Sequence, residues 1–165
     1  MKSKKGISAV VATVLIILIT VAAVTIIWAA IIPMINNQLD KGTLCLDAVS
    51  QVTLLDAGYT CKNDGANISI QVKHGAKDFK IADVQVLVSA GGSTTTFDLS
   101  NTTTTLDPTT ATFAGSNEET VYVIAANATY GVTETIEKVE IAPVVAVGNT
   151  QETCDISASK VLTDC

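Results

Sequence analysis

The chain contains no arginine. Its ten basic residues are all lysines, set against sixteen acids, for a formal net charge of −6. The planar guanidinium that favours bidentate contacts to bases and phosphates is therefore missing, and an acidic surface repels a phosphate backbone, so no nucleic-acid partner is expected. Histidine occurs once, at His74. The four cysteines, Cys45, Cys61, Cys154 and Cys165, form no CxxC pair. One imidazole and no paired thiolates leave a zinc site without a usable ligand set, and no metal or cofactor is expected. Aromatic residues make up only 4% of the chain, too few to supply a stacking platform or an aromatic ligand signature.

Catalytic patterns are equally scarce. GxSxG, HExxH, the Walker loop and GxGxxG do not occur, and no enzymatic activity is expected. His74 precedes Gly75 in a turn-like context, which predicts a solvated side chain rather than a general base. The stretch Lys62–Asn67, "KNDGAN", has an Asp-Gly pair but lacks the ligand spacing of a calcium loop, so it reads as a turn. Glu118 beside Glu119, and Glu137 near Glu140, read as surface charge.

Long apolar sequence, by contrast, is present and concentrated. The chain has 165 residues, of which 48% are hydrophobic, with a mean hydropathy of +0.43. No charge occurs between Lys5 and Asp40. As a helix, Ile7 to Ile35 spans on the order of 43 Å at ~1.5 Å per residue, longer than the ~30 Å hydrocarbon core of a bilayer. A cleaved secretory signal has an apolar core of only ~7–15 residues, so it fits poorly. Lys2, Lys4 and Lys5 flank the N-terminal side and only Lys41 lies just past the other end. This asymmetry keeps the basic side cytoplasmic and exports the chain beyond Asp40. Trp28 lies ~31 Å along the helix from Ile7, at the depth of an interfacial tryptophan. Ser8 with Ala12, and Ala9 with Thr13, place small residues at helical spacing, which lets helices approach closely in an apolar medium. Pro33 is expected to bend or end the helix.

The combination of "KSKKG" with "ISAVVATVLIILITVAAVTIIWAAIIPMI" resembles the N-terminal segment of archaeal type IV pilins and the related archaellins, and more closely the pilins. The resemblance covers about residues 1–40 and rests on three coincident features: a basic leader, a glycine at the junction, and an apolar run that starts directly after it. It implies a class III signal peptide cut by a membrane-embedded prepilin peptidase. Lys4, Lys5 and Gly6 would precede the cut and Ile7 would become the new N-terminus. It also implies assembly machinery and a helical homopolymer as partners. One departure is Val11, where many bacterial pilins carry a glutamate. Without that acid the new amino group of Ile7 has no evident partner among buried helices, where an unpaired charge is costly.

After Asp40 the pattern acquires period two. In "NISIQVK", Ile68, Ile70 and Val72 share one face, and in "IADVQVLVSA", Val84, Val86 and Val88 do. "TTTFDLS", "TVYVIA" and "ETIEKVEIAPVVAV" continue the style, separated by Gly-, Asn- and Asp-rich turns. Seven or eight such strands predict a β-sandwich or a small barrel. The fold class expected is α+β, a long N-terminal hydrophobic α-helix followed by an all-β, immunoglobulin-like sandwich. The organisation expected is a leader over 1–6, a hydrophobic helix over 7–40 and an exported head over 41–165. Cysteines confined to the exported side predict disulfides. Three connectivities exist. Cys45–Cys61 with Cys154–Cys165, closing local loops, is the expectation, and Cys45–Cys165 with Cys61–Cys154 is the alternative. Sequons at Asn67, Asn101 and Asn127 are candidate glycosylation sites, with Asn101 favoured because it lies in the threonine-biased stretch 93–112, itself a candidate for O-glycosylation.

The functional expectation is a structural subunit of an extracellular filament, held in the membrane before assembly and serving adhesion or surface attachment. The alternatives are a single-pass anchor displaying a β-sandwich binding domain, and an archaellin or minor pilin-like part of a motility or secretion machine.

Overall fold

Eighteen residues, Ala9–Ile26, form α1 in a computed structural model that describes residues 8–56, 58–63, 67–77, 80–107 and 113–165. The segment holds no glycine or proline to interrupt it, and it is apolar around its whole circumference with no buried residue. Its three threonines turn their hydroxyls inward. Thr13, Thr20 and Thr25 donate to the carbonyls of Val10, Ile17 and Ala22 at 2.9, 2.9 and 2.8 Å. A short polar side chain that bonds its own helix presents only a methyl group outward.

A π-helical turn comes next at Ile27–Ile31, and α2 covers Ile32–Gln51. The widened turn sits directly before Pro33. Proline has no N–H to give to the carbonyl of Ala29, and in α geometry its ring would strike that carbonyl. Within the turn Ile32 donates to Ile27, five residues back. The proline neither ends the helix nor breaks it; a local change of hydrogen-bond register accommodates it instead.

The chain divides into two compact units, one up to Asp40 and one from Lys41. α2 therefore runs past the point where strand periodicity was expected to begin. Leu44, Cys45, Ala48 and Val49 recur at helical spacing, and together with Val145, Val147 and Cys154 they form a small core in the second unit. The helix ends where β-branched Val52 and Thr53 begin. The carbonyl of Gln51 accepts the amide of Gly75 at 2.8 Å, which satisfies one orphan acceptor of the last turn, and its side-chain oxygen accepts the amide of Lys77 at 3.1 Å.

Among the described residues, the remainder is β strands and their connections, with one 3₁₀ turn at Ala128–Tyr130. The strands are β1 (Val52–Leu54), β2 (Cys61–Asn63), β3 (Asn67–His74), β4 (Ile81–Ala90), β5 (Ser93–Asp98), β6 (Thr105–Asp107), β7 (Glu119–Ala125), β8 (Ile136–Val147), β9 (Thr150–Thr153) and β10 (Ala158–Val161). They form two antiparallel sheets. One has the order β1-β3-β7-β6 with β2 also on β3, and the other β10-β8-β4-β5 with β9 also on β8. Alternation sets which face is buried. Ile68, Ile70 and Val72 of the first sheet meet Val84, Val86 and Val88 of the second in one core, with Tyr122, Ile124, Val139 and Ile141. The architecture is a long apolar helix followed by a β-sandwich, as expected, with ten strands among the described residues rather than seven or eight.

Pro143 lies inside β8, where a proline would ordinarily cost a ladder bond. β10 pairs with Lys138–Ile141 and β9 with Val144–Val147, so Pro143 falls where one partner strand gives way to the next. Its carbonyl accepts from Cys154 at 2.9 Å. The missing N–H points to that same side, away from β4, where Pro143 stands opposite Val84.

His74 also departs from expectation. It closes β3 opposite Val52 and is 3% exposed, not solvated in a turn. Its Nδ1 lies 3.0 Å from the carbonyl of Ala114. A carbonyl only accepts, so Nδ1 carries a proton. The residue ties β3 to the segment before β7 and plays a structural part.

Candidate functional site

The candidate site is a surface rather than a cleft. The helix Ala9–Gln51 is long and apolar enough to cross a membrane, and its most apolar 18-residue window has a mean hydropathy of 3.0 with nothing buried. Eleven large apolar side chains of α1, from Val10 to Ile26, are exposed. At ~1.5–3 kcal/mol for each side chain withdrawn from water, covering them is worth on the order of 20 kcal/mol. That exceeds the net stability of a typical domain, ~5–15 kcal/mol. A helix apolar all round is found in lipid or inside a larger protein assembly.

The predicted processing residues Lys4, Lys5, Gly6 and Ile7 lie outside the described residues. Ser8, the first described, caps the helix through its carbonyl, which accepts from Ala12 at 3.1 Å, and makes no side-chain cap.

In the second unit, helix residues are fastened to the β-sandwich by covalent and polar bonds. Cys45 is disulfide-bonded to Cys154, and Cys61 to Cys165. This is neither the local pairing expected nor its alternative. Both of those fail because Cys45 on α2 lies against Cys154, which follows β9, while Cys61 on β2 lies against Cys165, which the chain end brings beside β2. Lys41 pairs with Glu152 at 2.7 Å and Lys77 with Asp47 at 2.7 Å, flanking the first disulfide on the helix side. These ion pairs are about half exposed, and each contributes at most ~1 kcal/mol.

The second disulfide closes the sandwich. After β10 the chain leaves its own sheet and reaches the other. Lys62 donates to Thr163 at 2.8 Å and Cys165 donates to Lys62 at 2.9 Å. Residues 162–165 thus strap one sheet to the other, and Leu162 is buried beneath.

The three sequons differ in setting. Asn101 is exposed in the turn before β6, Asn127 is half-buried at the start of a short 3₁₀ turn, Ala128–Tyr130, and Asn67 opens β3 between β2 and β7.

Among the described residues no group of three or more His, Cys, Asp or Glu side chains could hold an ion. A groove of about 290 Å³ runs along Gly42, Cys45, Leu46, Val49 and Asp155, with one carboxylate and no convergent polar groups to orient a ligand. Glu118 accepts the amide of Gly115, Glu119 pairs with Lys73 and Glu140 pairs with Lys138, which places these acids in ordinary surface roles. At Tyr122 burial pushes the phenol up, against opposing hydrogen bonds from Thr120 and the Ala114 backbone.

Sequence reasoning missed the inward-bonded threonines and the π turn. An S/T at every turn or two of an apolar helix, and a proline inside it, are the signals that would have found them. Set beside known protein families, characterised proteins and solved structures, the chain matches none.

Proposed function

We propose that this chain is a structural subunit of an archaeal type IV pilus-like extracellular filament that polymerises through its N-terminal helix and serves surface attachment. The observation that carries the reading is α1 itself: apolar on every side, unburied, and with each threonine hydroxyl returned to its own backbone. Such a rod is at home in lipid and equally among copies of itself. Removal of the basic leader after Gly6 deletes charges that would resist burial between helices. The β-sandwich, with its two disulfides, suits an oxidising exterior.

The reading is tested at the junction. Mass spectrometry of protein sheared from cells is expected to show Ile7 as the N-terminus, carried by long polymers. Gly6→Leu is expected to leave the leader attached and to abolish polymers. Intact Met1 in the membrane fraction, with nothing released by shear, would instead favour a single-pass anchor displaying the same head.

A further inference from the structure

We propose that Asn101 and Asn127 form a twin acceptor for asparagine-linked saccharides on the folded head, and that Asn67 is closed to this modification. The proposal requires export of the head but not polymerisation, so it stands or falls apart from the filament reading.

The first two sequons share one local geometry. The side-chain oxygen of Asn101 accepts the amide of Thr103 at 3.0 Å, and that of Asn127 accepts the amide of Thr129 at 3.0 Å. In both, the carboxamide folds back over its own sequon, with its oxygen engaged by the residue two positions on. The bend is stabilised from the backbone. The carbonyl of Asn101 accepts from Thr104 and Thr105, and that of Asn127 from Tyr130 and Val132. Gly131, at φ 88°, supplies the left-handed residue that returns the chain to Val132. Thr103 and Thr129 are both exposed.

The two lie side by side although 26 residues apart in sequence. Tyr130, whose ring packs on the core, donates its hydroxyl to the carbonyl of Thr103 at 3.2 Å. The amide of Ala125 donates to Thr104 at 2.8 Å. One sequon is therefore hydrogen-bonded to the turn that carries the other.

Asn67 is built differently. β3 is paired on both sides, so Asn67 and Ser69 face β2 residues Asn63 and Cys61 and β7 residues Ala125 and Val123. The hydroxyl of Ser69 accepts from the Asn63 side chain at 2.7 Å and the residue is buried. Presenting this sequon to an enzyme would require a central strand to leave two ladders.

The transfer itself is a substitution at carbon. The asparagine Nδ2 forms a bond to the anomeric carbon of a saccharide carried on a polyprenyl phosphate or diphosphate. The anomeric C–O bond breaks, its electron pair leaves with the lipid phosphate, and Nδ2 gives up one of its two protons to solvent water. No oxidant or reductant is involved.

Glycopeptide mass spectrometry of the full chain from its native cells tests this. Saccharide is expected on the peptides containing Asn101 and Asn127 and none on Asn67. Asn101→Gln and Asn127→Gln should each remove one saccharide mass from the intact protein, while Asn67→Gln should leave that mass unchanged apart from the substitution. A bare Asn101 or Asn127, saccharide on Asn67, or sugar confined to threonines would overturn the assignment.

Discussion

Removing the disulfides singly and together should reveal that they share one loop. In the chain-entropy treatment, a cross-link restricts the unfolded chain by an amount that grows with the logarithm of the loop it closes. Cys45–Cys154 has a separation of 109 and Cys61–Cys165 one of 104. Each alone would contribute about 5 kcal/mol on this treatment. They interlock, however. Once Cys45–Cys154 is closed, Cys61 reaches Cys165 through the 16 residues back to Cys45 and the 11 beyond Cys154. The second bond then closes a loop of about 27 residues, worth only ~3.5 kcal/mol. The expectation is that Cys45→Ala/Cys154→Ala and Cys61→Ala/Cys165→Ala each cost ~3.5 kcal/mol, and that the quadruple variant costs ~8 kcal/mol, more than the two pairs summed. Urea denaturation of the full chain in detergent, monitored by the β signal in circular dichroism, measures all four states. Additive costs, or a quadruple variant no less stable than either pair variant, would refute the interlocked-loop argument.

Ile70→Ala, at a fully buried position between the sheets, should cost ~2–5 kcal/mol by urea denaturation, whereas Thr94→Ala, at an exposed position of β5, should stay within ~0.5 kcal/mol. Burial raises the Tyr122 phenol, so the unfolded chain ionises first: the associated stability is complete below about pH 10 and is lost as pH rises through the higher folded value. Tyr122→Phe should therefore lose less stability than wild type between about pH 9 and pH 11 in matched denaturant titrations. Pro33→Ala restores an N–H and removes a penalty of up to ~3 kcal/mol. The turn at Ile27–Ile31 should relax to α register, read as slower amide exchange around residues 31–34, and unchanged exchange would contradict the cause assigned to the π turn.

How much of the fold was legible in the sequence depended on how strongly local pattern was tied to burial. β3 and β4 were legible because Ile68, Ile70, Val72 and Val84, Val86, Val88 alternate with polar residues, and a one-residue slip would expose all of them. β1, β2, β9 and β10 are three or four residues long, too short for a period to declare itself. Residues 41–51 contain Asp, Lys, Gly and Thr, which dilute the helical signal until the partner surface on Val145 and Val147 is known. The disulfide pairing was hidden for a related reason. It depends on the crossing of residues 162–165 from one sheet to the other, a matter of topology that spacing does not encode. His74 shows the hazard of reading a single neighbour, since Gly75 is needed for the close approach to Gln51 and does not mark an exposed turn. At the sequons the Asn-x-Ser/Thr pattern located three candidates and local composition favoured Asn101 alone, whereas the strand pairing of Asn67 and the folded-back amides set Asn101 and Asn127 together and Asn67 apart.

Where the apolar helix of each copy resides separates a polymer from a single-pass anchor. Imaging native cell-surface assemblies at a resolution that traces side chains is the most direct measurement. A polymer built on this helix packs Ala9–Ile35 of each copy against the same segment of its neighbours, with Ile7 first in the chain and no lipid between the helices. Helices separated by lipid, or lysines 2, 4 and 5 still attached inside the bundle, would contradict it.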